Sequence, residues 1–255
     1  MQGPPADPPA AVGQTLDAGE IDRFARHARE WWDPKGKFRP LHQIAPTRLA
    51  FLREELVRHF ARPDNVRRPL DGLQILDVGC GGGLVCEPLT RLGARVSGLD
   101  PSAENICVAR RHAAGQGLSI DYRVGRVEEL AAERQTFDAV VCLEVIEHVP
   151  DAAAFLKDCA ALLRPGGLLL LSTINRTLKA YLLAVLAAEY ILGWLPVGTH
   201  RWDRFVTPAE LARYLMASGL GAAKLTGLVY NPLADGWRLA ADTDVNYFAV
   251  AAKPM

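Results

Sequence analysis

The chain has 255 residues, and 49% of them are hydrophobic, which is enough apolar surface for one large core or two modest ones. Lysine and arginine total 29, as do aspartate and glutamate, so the formal net charge at pH 7 is +0. Because binding to nucleic acid needs clustered positive charge, this balance argues against nucleic acid as a main partner. Charged residues make up 23%, as in ordinary globular proteins, and this excludes a wholly disordered chain.

The five cysteines and the first residues of the chain bear on its compartment. An odd number of cysteines without a Cys-x-x-Cys pair argues against a disulfide scaffold or a thiolate zinc site and favours a reducing compartment. Residues 1–18 contain neither a basic region nor an apolar run, so they do not resemble a secretory signal, and their proline and alanine content predicts a disordered tail. We therefore expect a cytoplasmic protein.

Helical patterns come first along the chain. A helix is expected from about Glu20 to Trp32, where Pro34 and the residues after it end it. The following WWDPKGKFRPLH stretch is aromatic, basic and rich in turn residues, which fits either a surface loop anchored by its tryptophans or a lid over a pocket. A second helix is expected with Pro46 near its first turn. Residues 19–71 are accordingly predicted to form a helical appendage.

From residue 72 onward, apolar runs alternate with helical segments. The runs LQILDV, ARVSGLD, SIDYRVG, FDAVVCL and GLLLLST are typical of buried strands, and VNYFAVAAK is expected to be the last strand. Helices are expected to begin near Leu84, Ser102 and Asp151. This alternation predicts a doubly wound α/β domain with a mostly parallel sheet over residues 72–255, with a hydrophobic helical insertion near residues 176–205.

The sharpest local signal is the sequence LQILDVGCGGGL, in which a strand ends and Gly79, Gly81 and Gly83 follow. Glycines at such a turn let a ligand approach the backbone, at the sheet edge where doubly wound folds bind ligands. The dinucleotide motif Gly-x-Gly-x-x-Gly would require a glycine where the chain has Leu84, so the pattern disfavours a nicotinamide cofactor.

The next predicted strand ends at Asp100, whose carboxylate is placed to accept hydrogen bonds from the ribose hydroxyls of an adenosine. The loop and this acid together are typical of the nucleoside-binding half of a class I S-adenosylmethionine-dependent methyltransferase. A tight turn in some other α/β protein is the alternative.

The segment FDAVVCLEVIEHVPD places polar side chains just past the end of the fourth strand. On a helical turn, Glu144, Glu147 and His148 share one face, and two carboxylates with an imidazole suit Mg²⁺ or a similar cation. Alternatively, His148 acts alone as a general base, and a glutamate faces solvent or complements a helix N-terminus. Leu143 is expected to pack against the adenine or to have a plain core role.

Further segments resemble one particular family. The motifs WWDPKGKFRPLH, IAPTRL, LDVGCGGG, LEVIEHVPD, STINRT, AAEYILGWLPVGTH, FVTPAEL, YNPL and DVNYF occur in this order. In this respect the chain resembles the ubiquinone-biosynthesis O-methyltransferases, which methylate polyprenyl catechols and hydroxyphenols. The resemblance covers nearly everything from about Asp22 to the C-terminus, and the Trp-Trp-Asp and EYILGWLPVGTH segments are its most specific parts.

The resemblance implies roles for individual residues. It implies contacts with S-adenosylmethionine at Arg48, Gly79, Asp100 and Leu143, and the neighbouring Gly81 belongs to the same glycine loop. Arg48 would pair with the methionine carboxylate; without the resemblance it would pass for a surface arginine. The resemblance also implies, from eukaryotic members, a Mg²⁺ ion bound by the three side chains that follow the fourth strand: Glu144, Glu147 and His148.

The insertion contains an apolar run, Ala180–Leu195, interrupted only by Glu189. As a helix it would measure about 24 Å, which is short for a transmembrane span of about 20 apolar residues. It is expected to be either an interfacial helix or a buried one. Since the family's substrate carries an isoprenoid tail, peripheral contact with the inner face of the membrane through residues 178–196 is a hypothesis.

The expected activity is S-adenosylmethionine-dependent O-methylation of a polyprenyl phenol in ubiquinone biosynthesis, with His148 or the Mg²⁺ set handling the phenolic proton. The alternatives are a methyltransferase that acts on another lipophilic phenol or on a carbon acceptor, or a non-catalytic subunit that binds quinone or lipid. A complex with other quinone-biosynthesis enzymes is a further expectation.

Overall fold

The computed structural model describes residues 28–182, 202–231 and 236–255. The predicted tail, residues 1–18, lies outside them, as does most of the helix expected over residues 20–32. The part of that helix which is described is a single 3-10 turn, Ala28–Glu30.

Six helices of more than one turn occur in the described residues: α1 Arg39–His59, α2 Cys86–Arg91, α3 Ala103–Gly115, α4 Val127–Ala132, α5 Ala152–Ala161 and α6 Pro208–Ala217. Side-chain caps fix several helix starts, since Ser102, Asp151 and Thr207 each accept a hydrogen bond from a backbone N–H of the first turn. The helices expected near Ser102 and Asp151 therefore begin as predicted, whereas α2 begins two residues after Leu84.

Eight strands of the described chain form one sheet: β1 Gln74–Val78, β2 Arg95–Asp100, β3 Asp121–Val124, β4 Phe137–Leu143, β5 Leu163–Ile174, β6 Lys224–Asn231, β7 Gly236–Ala240 and β8 Asn246–Ala252. Their order is β3-β2-β1-β4-β5-β8-β6-β7. The first five strands are parallel, and β8 is antiparallel to both β5 and β6. The expected mostly parallel α/β sheet is confirmed.

Each face of the sheet is covered by helices, as buried, apolar central strands require. On one face, α4, α5 and α6 pack in a cluster that includes Leu130, Leu156 and Leu211. On the other face, α1, α2 and α3 pack in a second cluster, in which the rings of Phe51 and Phe248 stack with centroids 4.2 Å apart. This packing brings the carboxyl ends of β1, β2 and β4 to one edge, where the candidate site lies.

Helix α1 differs from its prediction, because it begins at Arg39 and contains Pro46 in its interior. Pro40 provides the proline in the first turn that Pro46 was expected to provide. An interior proline removes one backbone hydrogen bond. The buried face of α1, which includes Ile44 and Leu52, packs against the sheet and compensates for that loss.

Candidate cofactor site

The glycine loop connects β1 to α2 and bends sharply. Gly79, Gly81 and Gly83 have φ angles of +72°, +52° and +90°, and the backbone N–H groups of Gly79 and Cys80 both donate to the carbonyl of Leu99, at 2.8 and 3.1 Å. A Cβ at Gly79 would lie 2.4 Å from a methyl group of Val145, so an alanine there meets both steric overlap and left-handed backbone strain.

The carboxylate of Asp100 lies directly beside this loop, at the end of β2. One oxygen accepts from the backbone N–H of Gly81 at 2.9 Å; the other accepts from the N–H of Ser102 at 2.9 Å and from the amide of Asn105 at 3.1 Å. Burial raises the pKa of Asp100, and these three donors oppose that rise. An ionised carboxylate offers about four acceptor positions, so acceptor capacity remains for a ligand hydroxyl.

A second carboxyl group, Asp77, lies beneath the loop. It is 3% exposed and accepts a hydrogen bond from the Cys86 thiol, with Sγ and Oδ2 3.1 Å apart. Burial, with a smaller contribution from the nearby Asp100 charge, raises the pKa of Asp77 to about 7, far above its ordinary value of 3.8.

This raised pKa predicts a pH-dependent stability. Between about pH 4 and pH 7 the folded protein keeps a proton on Asp77 that the unfolded chain has lost. The free energy of unfolding of the wild type therefore falls as pH rises through this range. Asp77→Asn removes this dependence. We expect the difference in free energy of unfolding, Asp77→Asn minus wild type, to increase by roughly 1–2 kcal/mol from pH 5 to pH 7. Urea unfolding of both proteins at several pH values measures this difference. A difference that stays the same from pH 5 to pH 7 would contradict the prediction. The control is Asp121→Asn, a substitution at an exposed aspartate.

Arg48 and Glu144 form an ion pair at the same edge of the sheet. Arg48, on α1, is buried, and its Nε has no hydrogen-bond partner within the described part of the chain. Glu144 has a left-handed backbone with φ +56°, and its N–H donates to the carbonyl of Ser172 at 3.0 Å. Non-glycine residues in this conformation are strained, and such strain is common at functional sites.

The three side chains expected to share one helical face do not do so. Only Ile146–His148 is helical, as a 3-10 turn, and the left-handed conformation of Glu144 interrupts the helical register before it. The carboxylate of Glu144 is engaged by Arg48, whereas that of Glu147 is buried and accepts from the Thr173 hydroxyl at 3.0 Å.

Across residues 28–182, 202–231 and 236–255, no three acidic, histidine or cysteine side chains are arranged to hold a metal ion. In this arrangement Glu144, Glu147 and His148 do not fit a magnesium centre, although their chemistry suits a hard cation. Leu143, the last residue of β4, and His148, in the 3-10 turn that follows, are both half-buried.

Asn105 and Trp31 also belong to this site, although neither was predicted as a cofactor contact. Asn105 contacts Asp100 directly, and Trp31 contacts Asn105. The spacing of Ser102 and Asn105 at the start of α3 was the available signal for Asn105, because the first turn of a helix after a strand faces the same sheet edge. Trp31 lies in the WWDPKGKFRPLH stretch, for which a lid over a pocket was one of two predictions, but no pattern predicted its contact with Asn105, 74 positions away.

The hydrophobic insertion is described only at its two ends, since residues 183–201 lie outside the described ranges. Of the helices that the structure describes, none combines the length and apolar character that crossing a bilayer requires.

Comparison with known proteins agrees with this geometry. The family described as "Methyltransferase domain" matches residues 76–171. The fold is similar to the magnesium protoporphyrin IX methyltransferase of Synechocystis PCC 6803 with bound SAH, with TM-score 0.63, 23% identity and coverage of 91% of this chain and 94% of that one.

Sequence relatives are much closer. The ubiquinone biosynthesis O-methyltransferase of Chelativorans sp. (strain BNC1) is 53% identical over 96% of this chain and 97% of its own length. The protein of the same name from Parvibaculum lavamentivorans is 54% identical, over 95% and 96%. The chain therefore belongs to the ubiquinone biosynthesis O-methyltransferase family, which confirms the predicted fold class, the enzyme class and S-adenosylmethionine as the cofactor.

Proposed function

We propose that this enzyme transfers the methyl group of S-adenosylmethionine to a phenolic oxygen of a polyprenyl catechol or hydroxyphenol, a precursor of ubiquinone. The observation that carries the proposal is the Asp100 carboxylate, which accepts from the N–H of Gly81 at the carboxyl end of β2, among the parallel strands of the sheet. The names of the close relatives support the class of acceptor.

A methyl-transfer assay tests this function. Incubation with radiolabelled S-adenosylmethionine and a short-tailed polyprenyl catechol should yield a labelled methyl ether in the organic extract. A product methylated on ring carbon, or no product despite cofactor binding, would contradict the proposal and favour the carbon-acceptor or non-catalytic alternative.

The proposed cofactor pose uses residues that surround the glycine loop. The ribose hydroxyls donate to Asp100, the backbone at Gly79 and Gly81 lies against the cofactor, and Leu143 borders the adenine. Arg48 receives the methionine carboxylate, since its buried Nε lacks a partner within the described residues and a guanidinium binds a carboxylate best with two donors.

In this pose the cofactor carboxylate competes with Glu144 for Arg48. Arg48→Met should weaken cofactor binding about 10- to 100-fold, because it removes charge-assisted hydrogen bonds of about 1.5–3 kcal/mol. Glu144→Gln should instead strengthen binding severalfold, because a neutral amide is a weaker competitor. Calorimetric titration with S-adenosylhomocysteine measures both; weaker binding by Glu144→Gln would show that Glu144 does not act as a competitor.

Methyl transfer also requires removal of the phenolic proton. A phenol with a pKa near 10 is mostly protonated at neutral pH and is then a poor nucleophile. The half-buried His148 is the proposed proton acceptor, because it lies in the 3-10 turn Ile146–His148 that follows the carboxyl end of β4. Since the three candidate ligands are not grouped, no step is assigned to a metal ion.

The ends of the insertion support peripheral contact of residues 178–196 with the cytoplasmic face of a membrane. Leu178 is 71% exposed and Leu182 is 48% exposed, so residues 178–182 present two large apolar side chains to solvent. We expect Leu178→Glu/Leu182→Glu to lower binding to anionic liposomes severalfold in a flotation assay, with methylation of a short-tailed acceptor unchanged. The control is Val66→Glu, a substitution at an exposed residue after α1. Equal flotation of all three proteins would contradict this contact.

A further inference from the structure

The glycine loop is covered by the segment before α1, residues 28–38, which we call the aromatic strap. Trp31 is 7% exposed and packs directly on the loop. A Cβ at Gly81 would lie 2.4 Å from Cζ2 of Trp31, and a Cβ at Gly82 would lie 2.4 Å from its Cγ. These two glycines therefore make room for an indole ring of the protein itself.

The strap is fastened on both sides of the loop. The ring of Trp31 stacks on Phe38 with centroids 3.9 Å apart, and its carbonyl contacts the His42 ring at 2.9 Å. Trp32 stacks on His112 at 3.5 Å, and its Nε1 donates to the carbonyl of Gly82 at 2.9 Å. The strap thus joins α1, the loop and α3, which makes its position well defined.

A buried chain of hydrogen bonds connects the strap to the ribose-binding acid. Nε1 of Trp31 donates to Oδ1 of Asn105 at 2.8 Å, and Nδ2 of Asn105 donates to Oδ1 of Asp100 at 3.1 Å. An indole N–H can only donate, so it requires the carbonyl oxygen of Asn105 to face it. The Asn105 amino group is thereby directed at Asp100.

We propose that Trp31 is a positioning residue for the cofactor, because its N–H fixes the orientation of the Asn105 amide and so the donor to Asp100, while its ring supports the glycine loop. This inference rests on the proposed binding of the ribose at Asp100. The strap then favours cofactor binding and has no direct part in methyl transfer.

The test is Trp31→Phe, which retains an aromatic ring against Phe38 and the loop but removes the N–H donor. Loss of one buried hydrogen bond should raise the dissociation constant for S-adenosylhomocysteine about threefold to tenfold. The KM for the cofactor should rise by the same factor, with kcat and the KM for a short-tailed acceptor unchanged. Trp202→Phe, which alters a half-exposed tryptophan that donates to Thr177, is the control and should change none of these values.

Asn105→Ala removes the residue that links Trp31 to Asp100. It tests the same hydrogen bonds and replaces Trp31→Phe if that variant does not fold. It should weaken cofactor binding at least as much, and the double variant should be no weaker than Asn105→Ala alone, because both substitutions act through one connection. Additive losses, or a rise in the acceptor KM equal to that for the cofactor, would overturn the proposal.

Failure of the inference is distinguishable from failure of the proposed cofactor pose. If Asp100→Asn weakens cofactor binding and Trp31→Phe does not, only the positioning role of Trp31 is wrong. If Asp100→Asn binds the cofactor normally, the proposed ribose position is wrong.

Discussion

Substitution His148→Ala should lower kcat by a factor of about 10² to 10⁴, the range that a positioned general base contributes. The KM and the dissociation constant for the cofactor should stay near their wild-type values, because His148 is not one of the proposed cofactor contacts and the ribose is held at Asp100 beside the glycine loop. Single-turnover methyl transfer at saturating cofactor measures the chemical step directly.

The control for this variant is His59→Gln, a substitution at an exposed histidine at the end of α1. An acceptor of intrinsically lower pKa, such as a nitrocatechol, should restore part of the rate of His148→Ala, since such a phenol ionises without a base. The role of His148 as sole proton acceptor would be wrong if EDTA abolished wild-type activity and Mg²⁺ restored it. That result would favour a rearranged metal site.

Asp100→Asn should weaken binding of S-adenosylhomocysteine about 10- to 100-fold. The substitution replaces a charged acceptor by a neutral amide, and hydrogen bonds to charged groups are worth about 1.5–3 kcal/mol each. It also places an amino group near the N–H donors of Gly81 and Ser102, which the carboxylate now accepts from. Calorimetric titration gives the dissociation constant.

The matched control is Asp121→Asn at the start of β3, where the carboxylate is exposed and paired with Arg123. It should bind the cofactor normally. If Asp100→Asn binds the cofactor with wild-type affinity and has an unchanged unfolding temperature, the ribose does not bind at Asp100 and the proposed pose is wrong.

Local patterns in the sequence were sufficient for most of the sheet and for the main landmarks of the site. The run FDAVVCL corresponds to β4 with identical bounds, because a short, largely apolar run with β-branched residues is typical of a strand buried on both faces of a parallel sheet. Ser102 and Asp151 marked helix starts, because a side-chain cap acts over three residues. The strands β6 and β7 were not predicted, since β6 mixes exposed, partly buried and buried residues, β7 has no fully buried residue, and neither has a strong apolar pattern.

The predicted helical turn after β4 shows where a periodic pattern is insufficient. Spacing alone placed Glu144, Glu147 and His148 on one face, but spacing contains no information about a φ angle of +56° at the first of them. That conformation is accompanied by a hydrogen bond from the Glu144 N–H to the carbonyl of Ser172 in β5 and by an ion pair with Arg48 in α1. Both partners are distant along the chain.

The fold class, the glycine loop and the acid at the end of β2 follow from local patterns, because each depends on residues that are near one another along the chain. Their contacts are visible only in the folded chain, where Trp31 packs on the loop, Asn105 lies between Trp31 and Asp100, and Arg48 pairs with Glu144. These contacts join residues up to 96 positions apart, and they exist because burying both faces of the sheet brings α1, α3 and the strap to the same edge.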